Sequence, residues 1–218
     1  MYKCILFDLD GTLVNSFEGI CHAYEMAFQK IKKPFPGKDF VRKAIGAPLP
    51  FAFRHLAGVA EEEIVQAVAC YREYYHAEGI REAFVYEGVQ KVLAELKARG
   101  CFLGTATLKK EEFARKMLQQ LGLLSYFSAV CGTDEKDSAT KAELILRAMK
   151  LAQADRRNTI LVGDTPYDER GAGEAGVDFL AVTYGFGFCG SKPQEISRAV
   201  YVAQKASEIL PFLIRAGE

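Results

Sequence analysis

The chain has 218 residues, between one domain and two at roughly 150 residues each. Half of its residues are apolar and 26% charged, which excludes a disordered, collagen-like or disulfide-scaffold protein. Lys plus Arg and Asp plus Glu both total 28, so no basic field argues for nucleic acid and no acidic tail for a solvated extension.

In chain order, the first element is a short apolar run, KCILF (3–7), ending at a cluster of acids and a glycine. Residues 16–85 then read as helical. Ile20, Ala23, Tyr24, Ala27, Phe28 and Ile31 form one stripe, and Ile64, Val68, Tyr71 and Tyr75 another. KPFPGKD and GAPLP break this region into helices, and no strand pattern appears in it. From Val89 onward strand and helix alternate. Val89, Val92, Leu93 and Leu96 predict a helix stopped at Gly100, followed by the strand CFLGTA (101–106). Phe113, Met117, Leu118 and Leu121 predict the next helix, followed by SAVCG (128–132). Ala142, Ile145, Leu146 and Met149 predict a third, before TILVG (159–163) and VDFLAV (177–182). Short runs that are apolar on both faces suit buried parallel strands, and their alternation with helices predicts an α/β fold. The expected organisation is an α/β core of residues 1–15 and 86–218, interrupted by a helical domain of residues 16–85.

The chemistry concentrates at strand ends. Asp8-Leu9-Asp10-Gly11-Thr12 follows the first strand, where Asp8 and Asp10 would point the same way on an extended chain. Like charges so close need a cation or a shared proton. The bland reading is an Asx-rich turn. Gly163-Asp164-Thr165-Pro166-Tyr167-Asp168 follows TILV, with Asp164 and Asp168 one helical turn apart. Alone it reads as a capped helix start, but two such clusters together make a site for a hard cation, with Mg²⁺ the expected occupant. Thr105-Ala106-Thr107 ends the second core strand, where a hydroxyl and backbone N–H groups could hold phosphate oxygens. Lys141 opens a helix, a place the helix dipole disfavours for a cation, which points to an anionic partner. Lys109, Lys110 and Lys136 are alternatives, and a solvated surface lysine is the bland reading.

KCILFDLDGTLVNS, ATLK, the TKAELI lysine and GDTPYD resemble, in order, the four motifs of the haloacid dehalogenase superfamily of phosphotransferases. The likeness spans residues 3–190. The insertion resembles that superfamily's α-helical cap on a Rossmann-like core. GAPLP, Tyr86-Glu87-Gly88 and VTYGFG resemble its phosphoglycolate-phosphatase-like branch. The resemblance implies a Mg²⁺-dependent hydrolase of small phosphate monoesters working through an aspartyl phosphate. In it Asp8 is the nucleophile and Asp10 the acid and base. Asp8, the Asp10 backbone carbonyl and Asp164 hold Mg²⁺, with Asp168 beside them. Thr105 and the Ala106 N–H orient the phosphoryl group, and Lys141 offsets its charge. Three features depart from the family pattern: Asn15 replaces a usual Asp, Ala106 a usual Asn or Ser, and the third motif lacks Lys-Pro-x-Pro.

Rival readings are a sugar phosphomutase, a pyrophosphatase and a non-catalytic binding module. Mutase relatives carry Ser-Arg after the cap glycine, whereas this chain has Gly46-Ala47-Pro48-Leu49, which favours hydrolysis. Arg42, Arg54 and Arg81 are candidate contacts to the leaving group, and Tyr184 and Phe186 candidates for its entrance. The apolar runs are far shorter than the roughly 20 residues of a membrane span, and the N-terminus lacks a secretory signal. Six scattered cysteines without CxxC pairs read as free thiols. The expectation is a cytoplasmic protein, monomer or homodimer, with a small phosphate ester as its partner and neither nucleic acid nor membrane.

Overall fold

A computed structural model describes residues 2–134 and 138–215. The chain begins with β1 (Cys4–Phe7) and β2 (Val14–Asn15), then α1 (Phe17–Lys30) and α2 (Lys38–Ala44). A short α3 (Leu49–Phe51) runs into a π-helical turn at Ala52–Leu56, and α4 (Glu61–Ala77) and β3 (Phe84–Val85) complete this half. The rest alternates α5 (Val89–Ala98), β4 (Phe102–Lys110), α6 (Glu111–Gln120), β5 (Ala129–Thr133), α7 (Lys141–Ala152) and β6 (Thr159–Gly163). It ends with α8 (Pro166–Ala175), β7 (Asp178–Val182), β8 (Ala199–Ala203) and α9 (Ile209–Arg215).

Six strands form one parallel sheet in the order β5-β4-β1-β6-β7-β8. Successive side chains of β1 face opposite ways. Ile5 and Phe7 join an apolar cluster with Leu93 of α5 and Met117 of α6, while Cys4 and Leu6 join Ile145 of α7 and Ala172 of α8. This is the predicted α/β class with helices on both faces. The edge strand β8 has no counterpart in the sequence reading. It is half exposed and lacks the wholly apolar character that marks the inner strands.

The segment between β1 and β4 is helical, as the stripes predict, with one addition. β2 and β3 pair antiparallel where the chain leaves the sheet and where it returns, with Val14 opposite Val85. Two residues per strand are too few for an alternating pattern to be read. Tyr24 of α1 centres this region, its ring 5.0 Å from Phe40, 5.2 Å from Phe53 and 4.8 Å from Tyr71. That aromatic cluster is continuous with the apolar face of the sheet rather than separate from it. All six cysteines are free thiols, and among the described residues no helix is long and apolar enough to cross a membrane.

Gly19 permits the closest approach within the helical segment. A Cβ there would lie 2.1 Å from the carbonyl oxygen of Gly79. Helix propensity alone favours Ala over Gly by about 1 kcal/mol. Overpacking costs about 1–3 kcal/mol, so Gly19→Ala is expected to lower the urea midpoint, and a raised midpoint would show slack at this contact.

Candidate active site

In open parallel sheets ligands bind beyond the carboxyl ends of the strands, where the strand order reverses. Here β1 is that point, with β4 and β5 on one side and β6, β7 and β8 on the other. Both acid clusters arrive there. Asp8 follows β1 directly, its N–H still donating to Val162 O at 2.9 Å, and Asp164 follows β6. Asp8, Asp164 and Asp168 bring carboxylate oxygens within 4.8 Å of one another, and all three are buried.

Each carboxylate is fixed by its neighbours. Asp164 Oδ1 accepts from Thr12 Oγ1 at 3.1 Å, and Oδ2 from the Phe186 N–H at 2.7 Å. Gly11 makes room for it: at φ +84° it turns the chain so tightly that a Cβ would lie 2.2 Å from Asp164 Oδ2. Asp168 belongs to the capping box of α8, accepting from the Thr165 N–H at 3.0 Å and its hydroxyl at 2.7 Å. Lys141 begins α7 behind a second capping box, made by Thr140 and Glu143. Its buried ammonium lies 2.7 Å from Asp168 Oδ1 and 3.0 Å from Asp8 Oδ1, and donates to the Ala106 carbonyl at 2.9 Å. Three acceptors account for a cation at an unfavourable helix end. Lys136, one of the alternatives, lies outside the described residues.

Burial dominates the electrostatics. It pushes the Asp8 carboxyl up to about 6, against the pull of Lys141 and with the help of Asp168 and Asp10. Asp164 is raised well above the carboxylate range by burial, then by Asp168 and Asp8. Burial works against the Lys141 charge, but Asp168 and Asp8 outweigh it and hold the lysine above its ordinary value. Among the described residues Lys141 is the ammonium paired with this cluster of three buried carboxylates, and it reaches two of them. Oxygen donors this close and this poorly compensated suit a hard divalent cation.

Asp10 lines the same cleft as Asp8 but stands outside the cluster of three carboxylates. β1 ends at Phe7, so strand alternation no longer governs Asp10. Its Oδ1 accepts from Ser16 Oγ at 2.5 Å, and Lys109 Nζ donates to both of its oxygens, at 2.8 and 3.1 Å. The structure sets Thr105 back from the cleft. Thr105 is level with Phe7 in the sheet register, inside the strand ends. Its hydroxyl accepts from the Cys131 N–H at 3.0 Å on the neighbouring strand β5. Ala106 is fully buried, and the group it turns to the site is its carbonyl, on Lys141. Thr107, two residues on in β4, lies beyond the end of β1 and lines the cleft beside Asp8 and Asp10.

That cleft lies between the strand ends and the helical segment, and Tyr24, Ile45, Tyr71 and Tyr75 form its far wall. Its volume is about 80 Å³, well below the roughly 300–1,000 Å³ of sites for drug-sized ligands. The predicted arginines do not line it. Arg54 pairs with exposed Glu61, Arg81 with Glu78, and Arg42 lies 4.6 Å over the Phe17 ring. The cations on the cleft wall are Arg72, Lys109 and Lys110. Tyr184 and Phe186 support the site rather than line the cleft: the Tyr184 hydroxyl donates to Thr12 O at 2.8 Å, and Phe186 holds Asp164 through its N–H. Backbone donors leave no mark on side-chain pattern. Thr107 stood in the same triplet as Thr105, and only the tertiary structure separates them.

Lys141→Met would leave Asp8 and Asp168 facing each other without a cation. Breaking a buried pair costs about 3–5 kcal/mol, and that loss is expected at pH 7.5 in metal-free protein. A carboxyl raised above its unfolded value adds stability at low pH that is lost as pH rises through its folded value. Removing Lys141 raises Asp8 further, so the stability gap between wild type and variant should narrow as pH falls from 7.5 to 5. Urea unfolding of both proteins at both pH values in EDTA measures it.

Comparison with known proteins agrees with this geometry. Residues 5–182 match the family described as haloacid dehalogenase-like hydrolase. A probable phosphatase, IndB, of Dickeya dadantii (strain 3937) is 36% identical over 190 residues, covering 85% of this chain and 83% of that protein. Phosphoglycolate phosphatase 1 of Pseudomonas aeruginosa is 30% identical, covering 99% of this chain and 81% of that one. The crystal structure of a predicted phosphatase from Clostridium acetobutylicum superposes with a TM-score of 0.91 at 31% identity, covering 99% of both chains. With its sheet order and its buried carboxylates at the ends of β1 and β6, this chain belongs to the haloacid dehalogenase-like hydrolase family and is a phosphatase.

Proposed function

We propose that the chain hydrolyses small phosphate monoesters with Mg²⁺ through an aspartyl phosphate on Asp8, beneath a cap formed by residues 16–85. One observation carries this reading. Among the described residues Asp8 alone stands both in the buried carboxylate cluster and on the wall of the cleft. Burial pushes its carboxyl up to about 6, and a bound divalent cation would favour the ionised form that attacks phosphorus.

An Asp8 oxygen attacks phosphorus and the bond to the ester oxygen breaks, while Asp10 gives its proton to the departing oxygen. Asp10 then takes a proton from water, whose oxygen attacks phosphorus. The bond to Asp8 breaks, and phosphate leaves. Lys141 orients Asp8 and offsets the incoming phosphoryl charge. Thr107, in place of the expected Thr105, anchors a phosphoryl oxygen at the cleft wall. Mg²⁺ would be held by the carboxylates of Asp8 and Asp164 and the Asp10 carbonyl, with Asp168 beside them, and would neutralise charge that otherwise repels a carboxylate nucleophile. The fit rests on the donor chemistry, three buried carboxylates of which Lys141 reaches two.

In this reading the cap opens to admit substrate to the small cleft and excludes water once closed. It favours a leaving group of a few atoms. The Pseudomonas relative is named for phosphoglycolate, an ester of that size, which is therefore the first to screen.

Asp8→Asn is expected to abolish turnover of p-nitrophenyl phosphate while the protein keeps its thermal unfolding midpoint. EDTA should stop wild-type turnover, Mg²⁺ restore it, and Ca²⁺ restore it poorly because its larger, looser shell misplaces the nucleophile. Near-normal activity of Asp8→Asn would overturn the mechanism, and full activity of metal-stripped Asp164→Ala would overturn the metal's part.

The two threonines separate in the same assay. Thr107→Val should lower kcat/KM by about 10- to 100-fold with little change in stability. Thr105→Val should cost about 1–3 kcal/mol of stability, through the orphaned Cys131 N–H, and leave kcat/KM within about threefold.

A further inference from the structure

Lys109, on the wall of the cleft, has contacts that join three parts of the site. It follows Thr107 at the end of β4, and its side chain is only 7% exposed. Its ammonium bridges both oxygens of Asp10 and lies 4.2 Å from the ring centroid of Tyr75. Tyr75 belongs to α4 of the helical segment, is buried, and packs beside Tyr71 and Phe113 with ring centroids at 5.8 and 6.2 Å. The aromatic face therefore covers the ammonium only when α4 lies over the strand ends, as it does here.

The lone pairs of Asp10 show what this contact does. A carboxylate offers about four acceptor sites. Ser16 and Lys109 occupy Oδ1, and Lys109 occupies one site on Oδ2. Among the described contacts one site remains, on Oδ2. A carboxyl pinned on three sides has one place to carry a transferable proton and one orientation in which to present it. Ser16 belongs to the stretch that leaves the sheet, immediately before α1, so both restraints on Asp10 come from where core and helical segment meet.

We infer that Lys109 is a positioning residue that couples cap closure to proton transfer: with Tyr75 over its ammonium, it holds Asp10 so that the free site on Oδ2 faces the departing oxygen. This rests on the reading of Asp10 as the acid that protonates that oxygen. The proton passes from Asp10 to the leaving oxygen as its bond to phosphorus breaks, and Lys109 keeps its own protons throughout. A cation–aromatic contact of this kind strengthens when water is excluded, which ties the restraint to the closed state.

The test compares phenyl phosphate with p-nitrophenyl phosphate. The two esters are nearly alike in shape, but phenolate is much the poorer leaving group and needs the proton more. For Lys109→Met, kcat/KM on phenyl phosphate is expected to fall about 10- to 100-fold, and on p-nitrophenyl phosphate by less than about threefold. Lys109→Gln, which keeps a donor to Asp10, checks the result if Lys109→Met folds poorly. Lys109→Arg should recover most of the loss. Tyr75→Leu should show the same split between esters and Tyr75→Phe should not, and the double variant Lys109→Met/Tyr75→Leu should lose no more than Lys109→Met alone.

If Lys109→Met and Lys109→Gln both depress the two esters equally, or leave both unchanged, the coupling is wrong while the phosphatase reading stands. If Asp10→Asn shows no difference between the esters, the assignment of Asp10 as the acid fails, and the role of Lys109 with it. Inactivity of the wild-type chain on both esters with Mg²⁺ overturns the proposed function itself.

Discussion

Asp8, Asp164 and Asp168 lie buried within 4.8 Å of one another, and the rest of the site is arranged around the repulsion among them. At an effective dielectric near 20, two unit charges at that spacing repel by about 3–4 kcal/mol. The fold offsets this with donors drawn from every part of the sheet. Lys141 comes from α7, the Phe186 N–H from the loop after β7, Thr12 from the turn after β1, and the capping box of α8 holds Asp168. The compensation is incomplete, which is why burial and the charge of Asp168 raise both Asp8 and Asp164. A scaffold that leaves negative charge concentrated at one point suits a hard cation.

The position of that point follows from topology. β1 is the central strand, and the chain leaves it in both directions, so loops from β1, β4 and β6 meet above its carboxyl end. The crevice above a parallel sheet is otherwise open to water. Here α1 and α4 roof it, and their aromatic cluster continues into the apolar face of the sheet. The chain enters and leaves the roof through the short β2–β3 ribbon, so a motion of the helices passes through Asp10, Ser16 and Val14. The proposed proton donor, Asp10, therefore sits beside the ribbon through which the helical segment is joined to the sheet.

Much of this was legible in the sequence because the signals are local. Five apolar runs bounded by Gly, Asp or Thr became β1, β4, β5, β6 and β7, and three stripes at helix spacing became α5, α6 and α7. A buried parallel strand must be apolar on both faces, so it announces itself without reference to its neighbours. β8 escaped because an edge strand needs no such character, and the β2–β3 ribbon because two residues carry no period.

The site divides along the same line. That Asp8 and Asp164 stand at strand ends follows from the order of apolar run, acid and glycine, and needs no coordinates. Which groups around them meet does not follow. Thr105 and Thr107 are equivalent in a sequence, and only the tertiary structure puts Thr105 on the backbone of β5 and Thr107 on the wall of the cleft. Lys141, Lys109 and Lys110 are equally charged, yet one reaches two carboxylates of the cluster and another spans Asp10 and Tyr75. Arg42, Arg54 and Arg81 looked outward once the helices were packed. The sequence by itself determined the strands, the helices and the carboxylates at the strand ends, because hydrophobic period and turn chemistry act over a few residues. The tertiary structure decided which cation serves which acid, because those partners lie tens of residues apart and meet only through sheet register and helix packing.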